Sequence, residues 1–185
     1  MSDDVLFEIR HMQKYFLIRG GILGRRVGNI KAVDDISLSI YKGSTLGVVG
    51  ESGCGKTTAG RCILMLTPPT GGNIYYQMPG DARKRMLELE AEEDILFIKD
   101  PKAHKKKGGL IPELEEIRES YALNRKSSEE LRRLRRNMQI VFQDPYSSLN
   151  PRMLVKDIIA EPMKIHSISG NKINITKRVK ELMER

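Results

Sequence analysis

Tryptophan is absent from this 185-residue chain, and all aromatic residues together make up 5% of it. So thin an aromatic supply argues against a surface that stacks successive bases of single-stranded nucleic acid. Cysteine is scarce too, with two residues, Cys54 and Cys62. They form no metal-type pair, and a disulfide between them would distort the glycine-rich stretch that holds the first. Two free thiols in a reducing compartment are expected. Long apolar runs are missing: none approaches the roughly 18 residues of a membrane-spanning helix, so the chain is not expected to cross a bilayer itself. Ser2, Asp3 and Asp4 are the wrong start for a secretory signal.

What the chain has is enough for a core with a wet surface: 39% hydrophobic residues and 30% charged. A net charge of +8 fits acidic partners, among them an anionic nucleotide, a membrane surface or nucleic acid. The stretch that organises the sequence is Gly50-Glu51-Ser52-Gly53-Cys54-Gly55-Lys56-Thr57-Thr58, which reads G-x-x-x-x-G-K-[ST]. The apolar run Thr45 to Val49 precedes it and predicts a buried strand; Thr58 to Leu66 follows with an apolar side and predicts a helix. Glycines let successive N–H groups point at one anion, and the helix N-terminus behind them adds partial positive charge. Lys56 is placed to reach β- and γ-phosphates, the Thr57 hydroxyl to ligate Mg²⁺, and Thr58 to bond a phosphate oxygen. A glycine-rich turn before an ordinary helix is the plain alternative.

Elsewhere the pattern predicts two short extended pieces within Val5 to Ile18, a basic glycine-rich loop over Gly20 to Gly28, and strands from Ile30 to Ile40. Thr67-Pro68-Pro69-Thr70-Gly71-Gly72 is a firm stop before a strand over Asn73 to Gln77. Asp81 to Glu93 predicts a charged helix and Asp94 to Ile98 a short strand. Pro101 to Gly109, with Lys105-Lys106-Lys107, reads as a solvated basic loop. Pro112 suits the first residue of a helix carrying Leu114, Ile117 and Tyr121. Ser127 to Glu130 matches a capping box. Met138 to Phe142 predicts a strand ending at Gln143. A helix starting at Val155 meets Pro162, Ser167 to Lys172 reads as a loop, and Ile175, Val179, Leu182 and Met183 form a helical apolar stripe.

Gly50 to Thr58 and the run Met138 to Met153 together resemble the ATP-binding subunits of ABC transporters, most closely the oligopeptide, dipeptide and nickel importer branch. The resemblance covers about residues 5–77 and 127–185. It implies an α/β fold: a P-loop NTPase core with an N-terminal antiparallel β-subdomain of the ABC type, truncated before the second half of the core. Residues 1–77 would be the β-subdomain with the P-loop strand and helix, 78–126 a charged insertion, 127–145 a core helix and strand ending in the Q-loop, and 146–185 the start of the helical subdomain. It implies ATP and Mg²⁺ as cofactors. Gln143 takes the place of the Q-loop glutamine, sensing the γ-phosphate and Mg²⁺. Phe16 takes that of the aromatic that stacks on adenine, with Tyr15 the neighbouring candidate and a sheet-core aromatic the plain alternative. Implied partners are membrane permease subunits, a second ATP-binding subunit, homologous or identical, and indirectly a substrate-binding protein, on the cytoplasmic, inner face of the membrane.

The departures are specific. The family's separation between Lys56 and Gln143 is about half that found here, which marks 78–126 as an insertion, expected to be dispensable for nucleotide binding. Nothing after Gln143 resembles the LSGGQ signature, no strand ends in an Asp-Glu pair, and His11, His104 and His166 stand in no switch context. An N-terminal fragment that hydrolyses ATP inefficiently by itself is therefore expected. Two rival readings are a soluble ABC-type ATPase acting on nucleic acid or ribosomes, and a non-catalytic truncated remnant.

Overall fold

Alternating apolar residues near the N-terminus give strand β1, Val5–Gly20, and its antiparallel partner β2, Arg25–Tyr41. The computed structural model describes residues 4–20, 25–99, 111–144, 148–166 and 175–184. In it the two expected pieces of Val5 to Ile18 are one strand, because each finds a partner in β2 and bulges absorb the irregularity between them. The expected loop shortens accordingly, with Gly20 and Arg25 themselves paired. Strand β3, Gly71–Tyr76, lies antiparallel on the other side of β1, giving the order β2-β1-β3. Val5, Phe7, Ile9, Met12, Ile74 and Tyr75 supply its buried positions.

Helix α1, Lys56–Ile63, lies between β2 and β3 in sequence. Helices α2, Gly80–Lys99, and α3, Pro112–Tyr121, follow β3. Asp94 to Ile98, expected as a strand, continues α2 instead. The run is too short to arbitrate by period, and the helix preceding it contains no breaker. The expected lysine loop lies outside the described residues, as do Ser167 to Asn174. Pro112 is at the start of α3, as anticipated, with Glu113 and Glu115 in the first turn.

Helices α2 and α3, which lie within the segment 78–126, are part of the core. Met86, Leu89, Glu90 and Glu93 form one buried stripe along α2 at helical spacing. Met86 and Leu89 cluster with Leu114 of α3 and with Tyr75 of β3, which is wholly buried. The buried acids of the sheet and α2 are paired, as burial requires. Glu8 accepts from Arg83 Nε at 2.9 Å and Ser39 Oγ at 2.7 Å. Glu90 accepts from Arg10 Nε at 2.7 Å, and Glu93 from Arg118 at 2.9 Å. Burial opposes the Arg118 charge, but hydrogen bonds to Glu93 and Glu115 overcome this and raise its pKa above the ordinary value. Beyond α3, Ala122 bridges to Tyr75, and Asn124 accepts from Ile74 N–H at 3.2 Å and donates to the Gly72 carbonyl at 3.3 Å. These contacts cover the open side of β3.

Helix α4, Ser128–Leu134, opens with a complete capping box. Ser127 N–H donates to Glu130 Oε2 at 2.9 Å, and Glu130 N–H donates back to Ser127 Oγ at 3.3 Å. The chain divides into two compact units, Met1–Leu131 and Arg132–Arg185. In the second, α5, Val155–Ile165, runs through Pro162 and packs with α6, Ile175–Met183, burying Ala160 and Val179.

Two expected strands are not formed. Thr45 to Val49 and Met138 to Phe142 are irregular, with Val49 94% and Val141 93% exposed. A strand exists by pairing, and among the described residues no segment pairs with either run.

Two outcomes follow from this core. Leu89→Ala should lower stability by about 2–5 kcal/mol in urea unfolding, since it leaves a cavity against Tyr75 and Leu114. The Tyr75 hydroxyl is pushed up to about 12, by burial first and by the Glu90 charge second. The unfolded chain releases this proton near pH 10 and the folded chain near 12. The contribution is therefore intact below pH 10 and falls through the interval up to about 12, by on the order of 2–3 kcal/mol. Unfolding midpoints measured from pH 9 to 12 should show that fall, and Tyr75→Phe should remove this part of it.

Candidate functional site

The loop before α1 cannot carry side chains at its tightest point. Gly55 caps the helix at φ +99°, and a Cβ there would lie 2.0 Å from the Ala32 carbonyl oxygen. Gly53 is also left-handed, at φ +80°. The loop backbone can therefore sit directly on β2. Gly55 brings no side chain to cap α1, and its first turn holds no acid. The leading N–H groups of a helix lack intrahelical partners and favour an anion.

Lys56 folds back over this loop. Its ammonium donates to the Gly50 carbonyl at 2.7 Å and to the Glu51 carbonyl at 2.6 Å, with Cys54 Sγ at 3.6 Å. A cation is thereby held at the loop's own rim. Thr57 is exposed and Thr58 half-buried. Ser52 and Cys54 are exposed on the loop; Cys62 is buried in α1, and both cysteines are free. Burial pushes the Cys62 thiol up. A cavity of about 280 Å³ lies between the loop from Gly53 to Thr58 and residues Ile30, Lys31 and Ala32 of β2. No carboxylate lines it, so its chemistry suits a phosphate group.

The two aromatic candidates have different surroundings. Phe16 pairs with Ile30 across the strands, so the two share one face of the sheet, and Phe16 is 42% exposed. Tyr15 pairs with Lys31, and its hydroxyl is committed to Asp34. That bond raises the Tyr15 pKa and lowers that of Asp34, while Lys31, 2.9 Å from Asp34, is raised. Phe16 has the more available ring. Gln143 is exposed in an irregular stretch of the second unit. The structure thus brings Gly53 to Thr58 together with Ile30, Lys31 and Ala32; Phe16 does not line this cavity and is related to it only as the cross-strand partner of Ile30, and Gln143 belongs to the other unit. The contribution of Ile30, Lys31 and Ala32 was not legible in the sequence. They lie on β2, more than twenty positions before Gly53, and meet the loop through the close approach of Gly55 to Ala32.

Among the described residues no group of three or more His, Cys, Asp or Glu could hold a metal ion. A Mg²⁺ would have to be held by hydroxyl and phosphate oxygens, which the exposed Thr57 fits. No helix among the described residues is long and apolar enough to cross a membrane.

A G-x-x-x-x-G-K-[ST] loop with left-handed glycines that leads into a helix is the mark of a P-loop protein, although the run before it, Thr45 to Val49, is not itself paired as a strand. Over residues 33–185 the sequence matches the ABC transporter family, and the chain belongs to it. It is 37% identical, over 185 residues, to the oligopeptide transport ATP-binding protein AppF of Bacillus subtilis, covering 100% of this chain and 43% of that protein. It is 33% identical over 181 residues to the oligopeptide transport ATP-binding protein OppF of Escherichia coli, covering 97% and 42%. The chain thus spans less than half the length of these curated relatives. Among solved structures it resembles the dimeric bacterial ABC transporter cassette MJ0796, with TM-score 0.58 and 18% identity, covering 97% of this chain and 55% of that one. The same cassette, in a post-hydrolysis state bound to ADP and Pi, matches equally well. The fold is that of an ABC cassette, of which this chain supplies the antiparallel sheet, the phosphate loop and helices.

Gly55→Ala should lower nucleotide affinity by at least about ten-fold and destabilise the chain by about 1–3 kcal/mol, because a left-handed residue would press a methyl into backbone. Gly60→Ala, inside α1 with open space around it, is the control and should stabilise by about 0.5–1 kcal/mol. Nucleotide titration and thermal unfolding of the two variants check this.

Proposed function

We propose that this chain is the nucleotide-binding part of an ATP-binding subunit of an ABC importer for oligopeptides or dipeptides. The observation that carries the reading is the loop geometry: left-handed Gly53 and Gly55, the latter against β2, and the Lys56 ammonium held at the loop's rim by the Gly50 and Glu51 carbonyls. The loop N–H groups from Gly50 to Thr58 would hold the phosphates of ATP, Lys56 would pair with the β- and γ-oxygens, and Thr57 would ligate Mg²⁺. Phe16, with Tyr15 beside it, would take the adenine. Gln143 would meet the γ-phosphate and Mg²⁺. The bound nucleotide supplies the phosphoryl group whose transfer to water drives the cycle.

In the whole protein, two ATP-binding subunits would act together on membrane permease subunits at the inner, cytoplasmic face of the membrane, fed by a substrate-binding protein. The oligopeptide transport names of the relatives favour this over action on nucleic acid. Phosphoryl transfer depends on positioning and electrostatic stabilisation of the transition state. Within these 185 residues no Asp-Glu pair closes a strand after Gln143, no signature sequence occurs, and no switch histidine follows. An amide such as Gln143 has no useful basicity. Binding without efficient hydrolysis is therefore the activity proposed for the chain by itself.

The test is MgATP titration and phosphate release with wild type and Lys56→Ala. Affinity should fall roughly ten- to hundred-fold in the variant, the loss of a charge-assisted bond to phosphate. Release by the 185-residue chain should stay well below about 1 per second. Equal affinity in the two proteins defeats the site assignment. Lys56-dependent turnover at or above that rate defeats the account of the missing catalytic groups.

A further inference from the structure

The ring of Phe16 has two faces, and one is already in use. The Lys14 ammonium stands 5.1 Å from the ring centroid. The lysine is not loose: its Nζ donates to the Pro68 carbonyl oxygen at 2.7 Å. Pro68 belongs to the Thr67–Thr70 stop behind α1, and that stop is itself fastened to β1. Thr70 N–H donates to the Gln13 carbonyl at 2.8 Å, and Tyr15 N–H donates to Thr70 Oγ1 at 3.1 Å. These bonds begin where the β1–β3 ladder ends, at Gln13 opposite Gly71. Lys14 thus connects Phe16 to the segment trailing the helix whose leading end forms the phosphate loop.

We propose that Lys14 is a positioning residue for base recognition, fixing and polarising the Phe16 ring so that its other face receives the adenine. The inference rests on the reading of Phe16 as the base-stacking aromatic. A cation over one face draws the ring's electron density towards itself. The opposite face becomes a better partner for the electron-rich base, and the ring loses rotational freedom that stacking would otherwise have to remove. Because the anchor runs to the stop behind α1, the same contact keeps the distance between base and phosphate subsites constant. Among the described residues no hydrogen bond or ion pair joins Lys14 to the phosphate loop, so its effect is expected on the base and not on the grip of the phosphates.

The experiment uses the full 185-residue chain and two probes, MgATP and magnesium tripolyphosphate, titrated against wild type, Lys14→Met, Phe16→Ala, the double variant and Lys56→Ala. Methionine keeps the length and apolar volume of the lysine stem and removes the charge. Lys14→Met should weaken MgATP by about two- to five-fold, leave tripolyphosphate unchanged, and have no effect on MgATP when Phe16 is alanine. Unchanged MgATP affinity in Lys14→Met overturns the inference. An equal loss for tripolyphosphate, or an equal loss in the Phe16→Ala background, overturns it as well. The underlying reading fails separately: Phe16→Ala matching wild type for MgATP removes the base-stacking role, and Lys56→Ala matching wild type for both probes removes the phosphate site, each taking this inference with it.

Discussion

The nucleotide region depends on one close approach, that of the Gly55 backbone to the Ala32 carbonyl. A Cβ at Gly55 would lie 2.0 Å from that oxygen, so the loop reaches β2 only as glycine. That contact sets where α1 begins, and the helix start sets where its leading N–H groups and Lys56 stand. It also makes β2 the far wall of the cavity, through Ile30, Lys31 and Ala32. The β1–β2 register then puts Phe16 on the face of Ile30, so the same close approach couples a phosphate loop to an aromatic more than thirty residues earlier.

The charged segment after β3 has a different role from the one its composition suggests. Long surface insertions cost little loop entropy, which makes a detached decoration thermodynamically acceptable. Here the segment contributes apolar area instead: Met86, Leu89 and Leu114 close over Tyr75. Its acids are paired with Arg10 of β1 and Arg118 of α3, and its Arg83 with Glu8 of β1. A buried carboxylate deprived of its partner costs far more than an exposed one. The Arg10–Glu90 and Arg83–Glu8 pairs therefore fix α2 to the sheet in one register and the Glu93–Arg118 pair fixes α3 to α2, while the hydrophobic cluster supplies the attraction. Removing the segment would expose the Tyr75 region, so its contribution to stability is separate from any contribution to nucleotide affinity.

Features that depend on a few neighbouring residues were legible from the sequence. The capping box of Ser127 and Glu130, Pro112 at the head of α3 and the glycine loop itself appear where the pattern puts them, while the expected stop at Thr67 to Gly72 is shortened by β3, which already begins at Gly71. The family was legible for the same reason, since two short motifs carry it. Misreadings concentrate where a residue's state is decided by remote chain. Asp94 to Ile98 is apolar enough for a strand, yet it continues a helix that already packs on the sheet.

The sequence by itself determined the local chemistry: glycines that allow left-handed backbone, a lysine and two threonines at fixed offsets, and helix ends set by Ser, Glu and Pro. Those are properties of side chains and their immediate dihedral limits. Tertiary structure alone decided which strands pair and what lines the cavity. It also decided that Tyr15 is engaged by Asp34 while Phe16 is backed by Lys14. Thr45 to Val49 shows the limit most plainly, for its composition permits a strand and only a neighbouring backbone can make it one.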